Sequence, residues 1–329
     1  MDFTPEIRKA TNHIYQKISK VVPEIEWSTH APYIYKINQL KKEKNAVILA
    51  HNYQTPEIYH GISDFSADSL ALAVEAAKTK ADIIVMCGVH FMAETAKLMS
   101  PEKKVLLPDM KAGCSLSSSI TGQDVRNLKR KYPGVPVVSY VNTSADVKAE
   151  TDVCCTSANA VKIVKSLGVK KVIFLPDDFL AKYVASQTDV EIISWKGTCE
   201  VHEQFNDEEI NNIRKNNPGI KIIAHPECPP DVIKVSDFAG STSGMIKYVK
   251  DNQPEKVMMV TECSMSDNVQ IDNPNVEFIR PCNLCPHMKR ITLPKILECL
   301  QNETNEIQMD NDTIEKARKS VERMAEVGR

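Results

Sequence analysis

Short apolar runs that end on a polar residue set the rhythm of this chain. Val47-Ile48-Leu49-Ala50-His51, Val137-Val138-Ser139-Tyr140 and Ile222-Ile223-Ala224-His225 recur at a period of about 85 to 89 residues, which marks an internal repeat. After each anchor a hydroxyl residue opens a helical pattern: Ser69 before LALAVEAA, Ser157 before ANAVKIV and Thr242 before SGMIKYV. A second apolar run then ends at Cys87, Pro176 and Thr261, and a third ends near Met110, Cys199 and Cys285. Short apolar runs alternating with helical patterns predict βαβ units with buried parallel strands.

The flanks carry the helical period instead. Ile7, Ala10, Ile14 and Ile18 form one stripe within residues 4–20, and Ile34, Ile37 and Leu40 form a second. Ile314, Ala317, Val321 and Met324 form a third, after the capping candidates Asp312 and Thr313. The expected organisation is N-terminal helices over 1–44, α/β repeats over 45–132, 133–217 and 218–300, and a C-terminal helix over 301–329. The expected fold class is α/β, with three related small αβα units built on parallel sheets. No Gly/Ser-rich or Pro-rich linker separates the repeats, so three such units are expected to face one another around a central cleft.

Composition narrows the function classes. Of 329 residues 42% are hydrophobic, enough for a packed core rather than a disordered chain. Lys and Arg (41) nearly balance Asp and Glu (43), so no electrostatic footprint for nucleic acid exists. The apolar runs are too short to span a bilayer and MDFTPEIRKA lacks an apolar leader, so a soluble cytoplasmic protein is expected. Ten cysteines are too sparse for a small disulfide scaffold and invite individual reading. GxGxxG, GxxxxGK[ST] and HExxH are all missing, which removes support for dinucleotide, P-loop and zincin chemistry.

Candidate chemistry follows the repeat register. Cys87, Cys199 and Cys285 end one predicted strand per repeat, and three thiolates suit either a 4Fe-4S cluster with one open iron or a zinc ion. In the pair Cys282-Asn283-Leu284-Cys285, register favours Cys285 as the ligand. Cys154, Cys155, Cys114, Cys228, Cys263 and Cys299 read as buried thiols. His51 and Tyr53, Tyr140 and Asn142, and His225 and Glu227 are spaced i, i+2 at the three anchors, so each pair shares a face of an extended strand. Such groups can act as acids, bases and hydrogen-bond donors. Ser69, Ser157 and Thr242 read as helix caps, or as anion contacts at helix starts.

The phrases AHNYQ (50–54), ADSLALA (67–73), CGVHFMAETAK (87–97), LPDMKAGCS (107–115), YVNTSADVKAETD (140–152), CTSANA (155–160), IIAHPEC (222–228), GSTSGM (240–245) and CPHM (285–288) together resemble the quinolinate synthase family. The resemblance implies three α/β domains with pseudo-threefold symmetry around an active site that holds a 4Fe-4S cluster. It implies condensation of iminoaspartate with dihydroxyacetone phosphate to quinolinate, with release of phosphate and water, in NAD biosynthesis. An aspartate oxidase or dehydrogenase supplying iminoaspartate would be the functional partner. The cluster ligands would be Cys87, Cys199 and Cys285. Substrate contacts would fall on His51, Tyr53, Ser69, Tyr140, Asn142, Ser157, His225, Glu227 and Thr242, with Tyr53, His225 and Glu227 as the catalytic groups. Two other readings stay open: a zinc or iron-sulfur hydro-lyase for another small metabolite, and a redox sensor using Cys282 and Cys285.

Overall fold

The computed structural model describes residues 1–280 and 282–328. Its twelve strands form three sheets of four. The first holds β1 (Ala46–His51), β2 (Phe65–Ala67), β3 (Ile83–Cys87) and β4 (Lys104–Leu106). The second holds β5 (Val137–Tyr140), β6 (Val153–Cys155), β7 (Lys171–Leu175) and β8 (Glu191–Ser194). The third holds β9 (Lys221–Ala224), β10 (Phe238–Ala239), β11 (Lys256–Val260) and β12 (Glu277–Ile279). The orders are β2-β1-β3-β4, β6-β5-β7-β8 and β10-β9-β11-β12, and every pairing is parallel. One α/β topology therefore occurs three times, as the repeat predicts.

Two details depart from the sequence reading. The edge strands β2, β6 and β10 are only two or three residues long and show no periodicity in the sequence. The last strand of each repeat stops at Leu106, Ser194 and Ile279, so Met110, Cys199 and Cys285 lie in loops beyond the strand ends rather than on them.

Each edge strand is preceded by the same device. In Ser63-Asp64-Phe65, Thr151-Asp152-Val153 and Ser236-Asp237-Phe238 the aspartate pins the anchor strand from both sides. Its carboxylate accepts the N–H of Ile48 at 2.8 Å, Val137 at 2.7 Å and Ile222 at 2.8 Å. Its own N–H donates back to Ile48 O, Val137 O and Ile222 O. The hydroxyl residue before it donates to a carbonyl four residues upstream, Tyr59 O, Val147 O or Val232 O, and closes the preceding helix. Three short residues thus end a helix, fix the register of the anchor strand and start the edge strand.

The described residues fall into two compact units. The first comprises Met1–Ala112, Cys263–Pro274 and Leu284–Ile307 and contains the first sheet. In it the helices Glu24–Glu43 and Leu293–Asn302 pack on each other and on the sheet, burying Trp27, Ile34, Ile37, Ile296 and Leu300. The second comprises Gly113–Glu262, Asn275–Asn283 and the chain from Gln308 on, and contains the other two sheets. There the terminal helix Asn311–Gly328 covers β6 and the helices Ala145–Ala149 and Ala160–Ser166. It is capped by Asp310, which accepts the Thr313 N–H at 2.9 Å, rather than by Asp312 or Thr313.

Candidate active site

In the second unit several predicted residues meet around one carboxylate. Glu227 is 4% exposed, three residues past the end of β9. The Tyr140 hydroxyl, at the end of β5, donates to its Oε1 at 2.5 Å, and His202 Nδ1 lies 2.9 Å from its Oε2. His225 Nδ1 is 3.9 Å from Oε1 and within reach of the Glu227 N–H at 3.4 Å. His225 Nε2 pairs with Ser157 Oγ at 3.1 Å, and the rings of His202 and His225 stack with centroids 4.9 Å apart. Tyr140, Ser157, His225 and Glu227 thus form one connected network.

Electrostatics explain why this carboxylate is ionised. Burial alone would raise its pKa, but the charges of His225 and His202 and hydrogen bonds from His202 and Tyr140 outweigh it and hold the group well below the usual carboxylate range. Asp177 shows the reverse balance. It is fully buried, its Oδ1 accepts the N–H groups of Phe179 and Leu180, and burial together with the Glu227 charge raises its pKa well above the usual value. Two nearby buried carboxyl groups are therefore driven to opposite protonation states.

His202 was not singled out from the sequence, although Cys199-Glu200-Val201-His202 carried the signal. A three-residue spacing puts both side chains on one side of a helical turn. Its Nδ1 lies 3.2 Å from Cys199 Sγ, and its Nε2 pairs with the buried Thr261 Oγ1 at 3.0 Å. Donor atoms of Cys199, His202 and Glu227 all lie within 4.8 Å of one another, a set able to take a metal ion.

The thiol whose charge Cys199 feels is Cys114. Ser115 Oγ donates to Thr198 O at 3.1 Å and accepts the Glu200 N–H at 3.1 Å, so the residue after Cys114 grips the backbone on both sides of Cys199. Burial, then the charges of Glu227 and Cys114, push the Cys199 thiol well up. Gly197 makes room for this approach. A Cβ there would fall 2.5 Å from Pro176 O and 2.6 Å from Ser119 Oγ. The Trp195 indole N–H holds Ser119 O from the same side at 3.0 Å.

Cys87 ends β3, at a strand end as the sequence reading expects. It is 0% exposed on β3 in the first unit, and the groups felt by its thiol are Cys299 and Lys41, on the helices packed over that sheet. Burial pushes the thiol far up, the condition of a small core residue. Cys87 ends the third strand of its repeat, whereas Cys199 and Cys285 follow the fourth. The position after the fourth strand of the first repeat belongs to the loop that carries Cys114.

The remaining predicted residues are placed as follows. In the first unit His51 ends β1 and its Nδ1 accepts the Tyr53 N–H at 3.2 Å, the same turn that His225 makes with Glu227. Ser69 and Thr242 stand at the first helical position, but the caps are Asp68 Oδ1, which accepts the Ala71 N–H, and Ser241 Oγ, which accepts the Gly244 N–H. Ser157 precedes the helix start at Ala160. None of the three hydroxyls therefore serves as the cap assigned to it. Asn142 Oδ1 is buried without a hydrogen-bond partner among the described residues. Cys285 Sγ, in the first unit, accepts the Met288 N–H at 3.5 Å.

The sequence model of the family described as "Quinolinate synthetase A protein" matches residues 35–326. The chain belongs to the quinolinate synthase family. It is 61% identical over 322 residues to a protein named quinolinate synthase from Sinorhizobium fredii, covering 98% of this chain and 90% of that one. It is 57% identical over 329 residues to the protein of that name from Caulobacter vibrioides, covering 99% and 90%. Among the described residues no helix is long and apolar enough to cross a membrane.

Proposed function

We propose that the protein is an active quinolinate synthase that condenses iminoaspartate with dihydroxyacetone phosphate and releases phosphate and water, as a cytoplasmic step of NAD biosynthesis. The observation that carries this reading is the network around Glu227. A carboxylate, two imidazoles and a phenol in mutual contact put several proton-transfer groups at one point, as condensation, isomerisation and dehydration require.

The donor chemistry fits a 4Fe-4S cluster. The Cys199 thiol feels the charge of Cys114, Ser115 grips the backbone on both sides of Cys199, and burial raises the Cys199 thiol, so a bound cation would be what holds it as thiolate. We assign these two to the cluster, with Cys285 as the third ligand implied by family membership, and Cys114 takes the place of Cys87. Three thiolates leave one iron open, and when bound that iron supplies a Lewis acid for loss of a hydroxyl.

The chain's own groups do the rest. Glu227 stays ionised and holds the stacked imidazoles of His202 and His225 and the Tyr140 phenol in place, and His225 exchanges the proton with the intermediate. Tyr140, held by Glu227, and Ser157, held by His225, orient polar atoms of the intermediate, and Asn142 Oδ1 offers an acceptor. His51, Tyr53, Ser69 and Thr242 are assigned to substrate carboxylates and phosphate by family membership.

The test is an anaerobic assay of the purified protein with iminoaspartate, generated by an aspartate oxidase or dehydrogenase, and dihydroxyacetone phosphate. Quinolinate formation is expected, and a cluster-loaded protein that forms none contradicts the reading. The Cys199, His202 and Glu227 triad favours one second reading, a mononuclear zinc site. Stoichiometric zinc without sulfide after anaerobic purification would establish it.

A further inference from the structure

We propose that Asp109 is a positioning residue for the Cys285 thiolate, acting through Arg290 and Lys295 to fix the turn that presents the sulfur. The inference rests on the assignment of Cys285 to the cluster.

Cys285 lies outside any helix or strand, between the exposed Leu284 and the short turn Met288–Arg290. Two backbone amides of that turn define its position: Lys289 N–H donates to Cys285 O at 3.1 Å, and Met288 N–H points at its Sγ at 3.5 Å. An amide directed at sulfur sets the direction of the side chain. Wherever the turn goes, the sulfur follows.

Asp109 holds the turn at its far end. Its Oδ2 takes Arg290 Nη2 at 3.1 Å and Lys295 Nζ at 2.7 Å, and the same ammonium reaches back to Arg290 O at 3.1 Å. Oδ1 accepts the Lys111 N–H at 2.8 Å, which fixes the carboxylate in turn. The Asp109 side chain is only 11% exposed, so the clamp is partly shielded from water. Arg290 Nε is buried without a hydrogen-bond partner among the described residues, leaving this carboxylate as the compensation for the guanidinium. Lys289 Nζ adds a second anchor, to Tyr53 O at 2.8 Å and Ser264 Oγ at 2.7 Å, so the turn is tied on two sides and Asp109 supplies the charged one.

The test uses the full chain in two states. In the iron-free protein, alkylation of Cys285 by iodoacetamide is followed by peptide mass for the wild type, Asp109→Asn and Asp109→Glu. We expect Asp109→Asn to speed Cys285 labelling about tenfold through easier local opening, with Cys114 labelling unchanged and Asp109→Glu restoring most of the protection. In the loaded protein, Asp109→Asn should lose iron to a chelator several-fold faster than wild type. Equal Cys285 labelling in wild type and Asp109→Asn overturns the proposal. If Asp109→Asn does not fold, Lys295→Met must give a smaller rise at the same peptide, and no rise overturns it. The labelling needs no cluster, so a wild-type chain that takes up no iron and sulfide sinks the cluster assignment separately.

Discussion

The Tyr140 hydroxyl donates to the Glu227 carboxylate at 2.5 Å, joining the end of one parallel strand to the loop that follows another within the second unit. The phenol is one of several groups that keep the buried carboxylate ionised, and removing it leaves an acceptor lone pair without its donor. Tyr140→Phe is expected to cost about 1–3 kcal/mol in urea unfolding. It should also lower quinolinate formation by about a hundredfold, because the orientation of the proton-transfer network changes. A variant with unchanged turnover would remove Tyr140 from the chemistry.

His202 should matter more than Tyr140. It touches Glu227, Cys199 and Thr261 at once, and both of its ring nitrogens are engaged. His202→Phe strips a buried carboxylate of its closest hydrogen-bond partner and breaks the contacts to Cys199 and Thr261 as well, for which roughly 3–5 kcal/mol is expected. Denaturant melts of the two variants measured side by side check the order.

The three aspartates that pin the anchor strands should respond as a family. Asp152→Ala strips the buried Val137 N–H of its acceptor and is expected to cost about 1–3 kcal/mol. Asp64→Ala and Asp237→Ala should cost more. Asp64 also pairs with Lys41 at 2.8 Å, and Asp237 with Arg214 at 3.0 Å. Chemical denaturation of the three variants at one pH gives the ranking.

Acid sensitivity should begin with His60. Burial, helped by Lys17, lowers its pKa to about 4, and its Nε2 is buried without a partner among the described residues. The unfolded chain takes up a proton near pH 6.5 while the folded chain resists until about 4, so between these values the unfolded state binds more protons and stability falls as pH falls. The loss should total roughly 2–3 kcal/mol across that window and then level off. His60→Gln should flatten the slope between pH 6.5 and 4, and a slope equal to wild type would contradict the assignment.

Much of the architecture was legible because the repeat is written in the residues that parallel sheets bury. The anchors at His51, Tyr140 and His225 end or directly follow central strands. The edge strands were not legible, because two or three residues cannot display an alternation. Yet the [Ser/Thr]-Asp-[Phe/Val] triplet before each of them was in plain view, and its physical meaning emerged only when the aspartate was seen to accept an anchor-strand amide. The carboxylate network was half legible. Tyr140, Ser157, His225 and Glu227 came from register, whereas His202 and Asp177 are defined by burial and partners that spacing does not reveal. Cys87 stands at a strand end as the sequence predicts, but spacing along the chain does not reveal that its thiol feels Cys299 and Lys41.

The central claim is that Cys114, not Cys87, supplies the thiolate beside Cys199. Iron and acid-labile sulfide, counted after identical anaerobic reconstitution of Cys114→Ser and Cys87→Ser, test it most directly. The expected result is loss of the cluster in Cys114→Ser, with near wild-type iron and sulfide in Cys87→Ser. The opposite pattern, a loaded Cys114→Ser and an empty but folded Cys87→Ser, would contradict it.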